Sequence, residues 1–233
     1  MSENNSLETE HLFNDISHRY DLLNDLFSFG LHRIWKRRML AWLNPQPGER
    51  WLDICCGTGD LAFLLASNVL PGGEVLGIDF AEKALMIARE RHLKRRDLPI
   101  SWLKVDATNT GLQSNEFDGI AMAYGLRNIK CQREGLAEIY RLLKPNSKAL
   151  ILDFNHFNAN TYGDSFQKFY LRKLVVPLAS KLGLKKEYSY IEESIRAFPQ
   201  GGELERYSRD TGFSEAFYER IAFGQMGLLH LRT

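Results

Sequence analysis

The chain is short of three things. It has three cysteines, Cys55, Cys56 and Cys131, and two of them are adjacent. An odd count with neighbouring members argues against a disulfide framework and for a reducing compartment. There is no C-x-x-C and no His/Cys spacing of the kind that holds zinc, so no metal is expected. Nor is there an excess of charge: 30 Lys and Arg stand against 29 Asp and Glu, a net charge of +1. A nucleic-acid binder would carry a clearly basic face, so nucleic acid is not an expected partner. Finally, no apolar run approaches the roughly 18 residues that span a bilayer. The opening MSENNSLETEHLF is polar and acidic, unlike a secretory signal or a basic transit peptide. The expectation is a soluble protein, cytoplasmic or in the plastid stroma if encoded there, that meets a membrane at most from its surface.

What is present is an alternation. Apolar runs at 50–55, 74–80, 101–107, 117–124 and 148–154 read as strands, and 60–69, 81–96 and 133–143 between them read as helices. The last helix should stop at KPNS, where Pro145 and Asn146 cannot continue it. Strands and helices alternating at this spacing imply βαβ units with right-handed crossovers, an α/β, Rossmann-like, mostly parallel sheet. The tail SEAFYERIAFGQMGLLHLRT reads as two strands about Gly224–Gly227, a C-terminal antiparallel pair. The 233 residues are read as one domain with an N-terminal helical extension at about 8–43 and a helical insertion at about 160–200.

The stretch WLDICCGTGDLA, residues 51–62, carries the chemistry. Gly57, Gly59 and Ala62 fit the G-x-G-x-x-G/A fingerprint of a dinucleotide site. Such a site needs a helix N-terminus open to phosphate, yet Asp53 lies four residues before the first glycine and Asp60 directly follows the second. Asp60 would repel an anion, or it caps the helix. Cys55 and Cys56 read as small apolar residues in a buried turn, with a redox role as the alternative. Acids close three successive strands: Asp53, Asp79 and Asp106. Open α/β sheets bind ligands beyond the carboxyl ends of their strands, and carboxylates there favour a cationic, phosphate-free ligand. S-adenosylmethionine, with its sulfonium and ammonium, matches better than NAD. Gly57 and Gly59 would let it approach the backbone. Asp79, with Phe80 beside it, would take the ribose hydroxyls, and Asp106 with Ala107 the adenine edge.

LDICCGTGD, GIDFAEKALMIARER, DATNTGL, FDGIAMAYGLRNI, LAEIYRLLKP and YDLLNDLFSFGLHRIWKRRML stand in an order that resembles the ubiquinone/menaquinone C-methyltransferase family. Within that family LILDFN, LVVPLAS, EYSYIEESI and FGQMGLLHLR look closest to the cyanobacterial and plastid branch, which methylates 2-phytyl-1,4-naphthoquinol in phylloquinone synthesis. The resemblance implies the class I fold of S-adenosylmethionine-dependent methyltransferases. It also implies cofactor contacts at Thr58, Asp79, Asp106 and Ala107. Two departures matter: Ala123 stands where many relatives have serine, leaving only a backbone contact there, and Cys55 replaces a glycine.

C-methylation is attack by an electron-rich ring carbon on a sulfonium methyl, so the implied partner is a reduced prenylated (phytyl) naphthoquinol. Arg127 and Asn128, after the fourth strand, would stabilise the quinolate and bond the ring oxygen. Otherwise Arg127 pairs with an acid and Asn128 caps the next helix. Tyr20 would close over the site or serve the core, and His156 would be a base or structural. The helix with Ile34, Trp35 and Leu40 among His32, Arg33, Lys36, Arg37 and Arg38 packs on the core or rests on anionic lipid. Together with 160–200, where Phe166, Phe169, Tyr170, Leu174 and Leu178 recur at helical spacing, it would form an apolar groove for the tail. A homodimer is left open.

Overall fold

A computed structural model of the chain describes residues 32–155 and 185–233. The sheet has seven strands: β1 (Arg50–Ile54), β2 (Glu74–Asp79), β3 (Ile100–Lys104), β4 (Phe117–Ala123), β5 (Leu143–Phe154), β6 (Glu215–Ile221) and β7 (Met226–Arg232). Their order is β3-β2-β1-β4-β5-β7-β6. The first five are parallel, and β7 runs antiparallel to both β5 and β6. This is the expected α/β arrangement with a C-terminal antiparallel pair. β1 is buried along almost its whole length because helices cover both faces of the parallel part.

Among the described residues six α-helices surround it: α1 (His32–Leu43), α2 (Asp60–Val69), α3 (Glu82–His92), α4 (Gln132–Leu142), α5 (Lys185–Ala197) and α6 (Gly201–Thr211). On one face Leu61, Leu65 and Val69 of α2 join Met39 and Leu43 of α1 against Trp51, Val75, Leu150 and Leu228. On the other, Leu136, Ile139 and Leu142 of α4 and Leu204 of α6 pack on Leu52, Ile120, Ile151 and Leu229. Each such side chain taken from water contributes about 1.5–3 kcal/mol. Gly119 leaves room for the Trp51 ring on the neighbouring strand; a Cβ there would run into it.

Several boundaries shift. The third strand ends at Lys104, not 107, so Asp106 and Ala107 belong to the following loop. α3 stops at His92, four residues before the expected end, with Arg89, Arg91 and His92 in its last turn, where cations suit the helix dipole. KPNS lies inside β5 as an irregularity: pairing jumps from Phe117↔Leu143 to Gly119↔Lys148, with Asn146 left-handed at φ 62°. Helix α6 was not expected, although its signals are present. The Glu203 carboxylate accepts the Gln200 N–H at 3.1 Å, and Gly212 closes the helix at φ 123°.

α1 packs on the core through Met39 and Leu43, with Trp35 half-buried, while Ile34 is 57% exposed. That is the core-packing reading of this segment. Tyr20, His156 and the apolar positions 166–178 lie outside the described residues.

One contact near the glycine turn is testable. Cys55 sits at φ 56°, and a Cβ on Gly125 would come 2.5 Å from the Cys55 Cβ. Gly125 itself has an ordinary right-handed backbone at φ −103°, so Gly125→Ala acts by steric overlap alone. It should cost roughly 1–3 kcal/mol in denaturant unfolding. Adding Cys55→Gly should restore most of that loss in a double-mutant cycle; additive losses would contradict the contact.

Candidate active site

The site begins with backbone. Between β1 and α2 the chain makes three left-handed residues in five: Cys55 at 56°, Gly57 at 55° and Gly59 at 89°. Only glycine adopts this without strain. Gly59 is also confined, since a Cβ there would lie 2.5 Å from the Trp102 ring, whereas a Cβ on Gly57 would meet nothing within 4 Å. The Gly57 side of the turn is therefore open to a ligand.

Asp79, at the end of β2, ties this turn in place. Its Oδ2 accepts the Gly57 N–H at 2.7 Å and its Oδ1 the Ala81 N–H at 2.8 Å. One carboxylate thus joins the β1 turn to the start of α3. Burial raises its pKa, against the pull of those backbone donors. Phe80, next to it, is half-buried with the Lys104 ammonium 5.9 Å above its ring.

Asp53 is 1% exposed, and its Oδ2 has no hydrogen-bond partner among the described residues. Burial pushes its carboxyl up to about 8; Lys36 and the Ala62 N–H oppose this, while Asp79 and Asp60 add to it. Asp60 meets a different fate. Burial would raise it too, but Lys36 and Arg91 prevail and hold it at about 2. Its Oδ2 lies 3.2 Å from Lys36 Nζ and its Oδ1 2.6 Å from Arg91 Nη2. Asp60 is therefore an ion-pair partner and not a cap; the N-cap of α2 is Gly59. Arg91 Nη1 also donates to the Thr58 carbonyl at 2.8 Å and to its hydroxyl at 3.0 Å, so the Thr58 side chain faces Arg91 and steadies the turn. The thiols of Cys55 and Cys56 are pushed well above their ordinary value by burial and by the carboxylates around them. Cys56 packs as a small buried group and Cys55 is half-buried, and neither has the thiolate character that redox work needs.

The adenine side is looser. Asp106 is exposed, and its Oδ1 accepts both the backbone N–H and the hydroxyl of Thr108 at 2.8 Å. Val105 N–H still reaches the Asp79 carbonyl at 3.1 Å, which keeps Asp106 and half-buried Ala107 beside the end of β2. Ala123 is the last residue of β4, half-buried and paired with Leu152.

Past Ala123 the loop is built on a buried ion pair. Arg127 Nη1 lies 2.6 Å from Asp153 Oδ1, with side-chain exposures of 1% and 4%. The Arg127 N–H donates to Asp153 Oδ2 at 3.0 Å, and Nη1 also reaches the Tyr124 carbonyl at 2.8 Å. Of the two readings of Arg127, the pairing with an acid is formed; a part in stabilising a quinolate would have to be played from this enclosed position. Asn128 does not cap α4 either, whose N-cap is Cys131. Its Nδ2 donates to the Tyr124 carbonyl at 3.1 Å, and its Oδ1 accepts the Tyr190 hydroxyl of α5 at 3.3 Å. Arg91, Asp153 and Tyr190 were not singled out in the sequence, and Lys36 was read there only as part of the charged face of its helix. Lys36 and Arg91 had one available signal, a basic residue on each of the helices flanking an acidic turn.

A model of the ubiE/COQ5 methyltransferase family matches residues 1–232. The chain belongs to that family. A Nostoc punctiforme protein named 2-phytyl-1,4-naphtoquinone methyltransferase is 45% identical over 223 residues, covering 95% of this chain and 96% of its own. An Arabidopsis thaliana protein named 2-phytyl-1,4-beta-naphthoquinone methyltransferase, chloroplastic, is 42% identical over 227 residues, covering 96% and 87%. The fold is shared with a SAM-dependent methyltransferase from Aquifex aeolicus at 17% identity, with a TM-score of 0.62 over 84% of this chain and 88% of that one. The dinucleotide reading of the glycine turn gives way accordingly. In this methyltransferase the residues present suit a cationic nucleoside: an open glycine face, a buried carboxylate oxygen without a partner, and acids at the ends of β1 and β2.

Asp53 gives a pH signature. Its carboxyl is higher in the fold, about 8, than in the unfolded chain, about 3.8. Its contribution to stability is thus complete below about pH 4 and lost as pH rises towards 8. In ligand-free protein this group should remove about 2–4 kcal/mol between pH 5 and pH 8, at up to 1.4 kcal/mol per pH unit. Asp53→Asn should flatten that slope in urea unfolding at each pH. An unchanged slope would mean that Asp53 is ionised in the fold.

Proposed function

We propose that this methyltransferase transfers a methyl group from S-adenosylmethionine to a ring carbon of a reduced prenylated naphthoquinone, with 2-phytyl-1,4-naphthoquinol as the substrate. The cofactor half is supported by the buried Asp53 Oδ2, without a hydrogen-bond partner among the described residues, on the strand that leads into the turn whose Gly57 face is open. The substrate half is supported by the names of relatives 42–45% identical along nearly the whole chain.

Asp53, Gly57, Thr58 and Gly59 would line the cationic end of the cofactor. Asp79 and Phe80 would meet the ribose, and Asp106, Ala107 and the Ala123 backbone the adenine side. When bound, the cofactor supplies an electrophilic methyl group. The chain's own residues have two tasks: holding the ring carbon in line and easing a proton from the quinol hydroxyl. Alignment is worth on the order of 7–11 kcal/mol, and a positioned base about 10²–10⁴-fold. Asn128 would hold the ring oxygen through the second N–H of its amide; the bonds of that amide to the Tyr124 carbonyl and the Tyr190 hydroxyl support this by fixing its orientation. Arg127, locked to Asp153, is a positioning residue that shapes this loop. Tyr20 and His156 remain candidates for closing the site and for proton transfer. A phytyl tail keeps the substrate in a bilayer, so the enzyme would work at a membrane surface; among the described residues no helix is long and apolar enough to cross one.

Mass spectrometry with a labelled methyl donor tests the reaction. Label should enter the reduced phytyl-naphthoquinone and not the oxidised form; entry into neither would overturn the substrate. Asn128→Ala should lower kcat by about 10-fold to 10³-fold while leaving cofactor affinity within about twofold. A loss confined to cofactor affinity would remove Asn128 from the substrate side.

A further inference from the structure

Lys36 is turned the wrong way for a surface lysine. Arg33, Arg37 and Arg38 on the same helix are exposed, while Lys36 is 8% exposed, its ammonium inside against Asp60. A buried ammonium is costly unless it meets a counter-charge. Here it meets Asp60, which accepts its hydrogen bond at 3.2 Å, and its field is also the largest electrostatic influence opposing the effect of burial on Asp53. Among the described residues around the glycine turn, then, three carboxylates (Asp53, Asp60 and Asp79) face two cationic side chains, Lys36 and Arg91. S-adenosylmethionine carries one net positive charge and its demethylated product none, so the donor balances this set and the product does not.

We propose that Lys36 is a positioning residue of the cofactor pocket, coupling the N-terminal helix to the glycine turn: its ammonium pins Asp60 and lends Asp53 the counter-charge that lets it greet the cofactor as a carboxylate. The inference rests on S-adenosylmethionine being the cofactor. The geometry divides the labour. Arg91 reaches Asp60 from α3 and also holds Thr58, so Asp60 keeps a partner when the cofactor is bound. Lys36 comes from α1, on the other side of Asp60. The groups facing Asp53 are Lys36 from α1, Asp60 and the Ala62 N–H from α2 and Asp79 from β2, with the Cys55 thiol close by on the turn itself. Among the described residues facing Asp53, Lys36 is the one cation. Removing it takes away that counter-charge, which favours the protonated form of Asp53 and weakens its hold on a positive ligand until the pH is raised.

The test is calorimetric titration of the ligand-free full chain with S-adenosylmethionine from pH 6 to pH 9.5, with S-adenosylhomocysteine in parallel. Wild type should bind the donor more tightly as pH rises through the titration of Asp53. Lys36→Met should move that midpoint upward by about one pH unit, which is about tenfold weaker donor binding at pH 7, with wild-type affinity regained at the alkaline end. Product binding should change less than twofold, and Lys36→Arg should restore the wild-type profile. Should Lys36→Met fail to fold by circular dichroism, Lys36→Gln, close to lysine in length, replaces it. An unshifted midpoint overturns the proposal, as does an equal loss at every pH for donor and product alike, because packing alone would do that. If the wild-type chain did not bind the donor at all, the cofactor assignment itself would fail, a result distinct from either.

Discussion

Too much negative charge in a dry turn is the constraint around which this site is arranged. β1 and β2 are parallel neighbours in register, Asp53 against Gly77 and Ile54 against Ile78, so their carboxyl ends come out together. Acids at those ends converge whether or not the chain can accommodate them. Each of the three is relieved by different means. Asp79 takes backbone N–H groups from Gly57 and Ala81, a form of solvation that costs no further charge. Asp60 takes two cations from two helices. Asp53 has the Ala62 N–H and the distant field of Lys36, which does not suffice, and burial favours its proton. The least relieved of the three is the one best placed to respond to a positively charged ligand.

The other half of the site is governed by the same cost and reaches the opposite outcome. Asp153, at the end of β5, is as deeply buried as Asp53, but it is fully answered by Arg127 and by the N–H groups of Arg127 and Phe154. Removing either partner of such a pair strands a charge in the core. This closed arrangement fixes the turn after β4. The Tyr124 carbonyl collects both the Arg127 guanidinium and the Asn128 amide, and Tyr190 approaches from α5. The glycine turn keeps an open electrostatic demand at Asp53, while the loop after β4 is fixed by its ion pair. On the proposed function, that division suits a reaction in which orientation supplies more than proton transfer.

The strands and helices that build this frame were legible because their periodicity is strong. α2 begins and ends where its apolar pattern does, at residues 60 and 69. The acidic strand ends pointed correctly to a cationic ligand class, although Asp106 lies on a loop and not at a strand terminus. Periodicity shows which face of an element is buried; it cannot show which charge faces which across the fold. The Arg127–Asp153 pair spans 26 residues and Lys36–Asp60 spans 24. In each the sequence displays two ordinary ionisable residues whose meaning depends on the sheet bringing them together. Lys36 in particular sits among exposed arginines and reads as one more member of a solvated face. α6 escaped for a more local reason, since its apolar stripe is short and its charged residues dominate the composition.

Cys55 shows how such a turn absorbs a departure. The turn asks for a left-handed backbone at residue 55, and a side chain there costs on the order of 1–3 kcal/mol relative to glycine. The space it enters is opened by the absence of a side chain at Gly125, on the loop that carries Arg127 and Asn128. Conformational freedom at 55 has been exchanged for a packed contact between the donor-side turn and the acceptor-side loop. The glycine turn, held by backbone donors, and the loop after β4, held by a buried ion pair, therefore meet at the Cys55 side chain. A change in its volume would alter the spacing between the two.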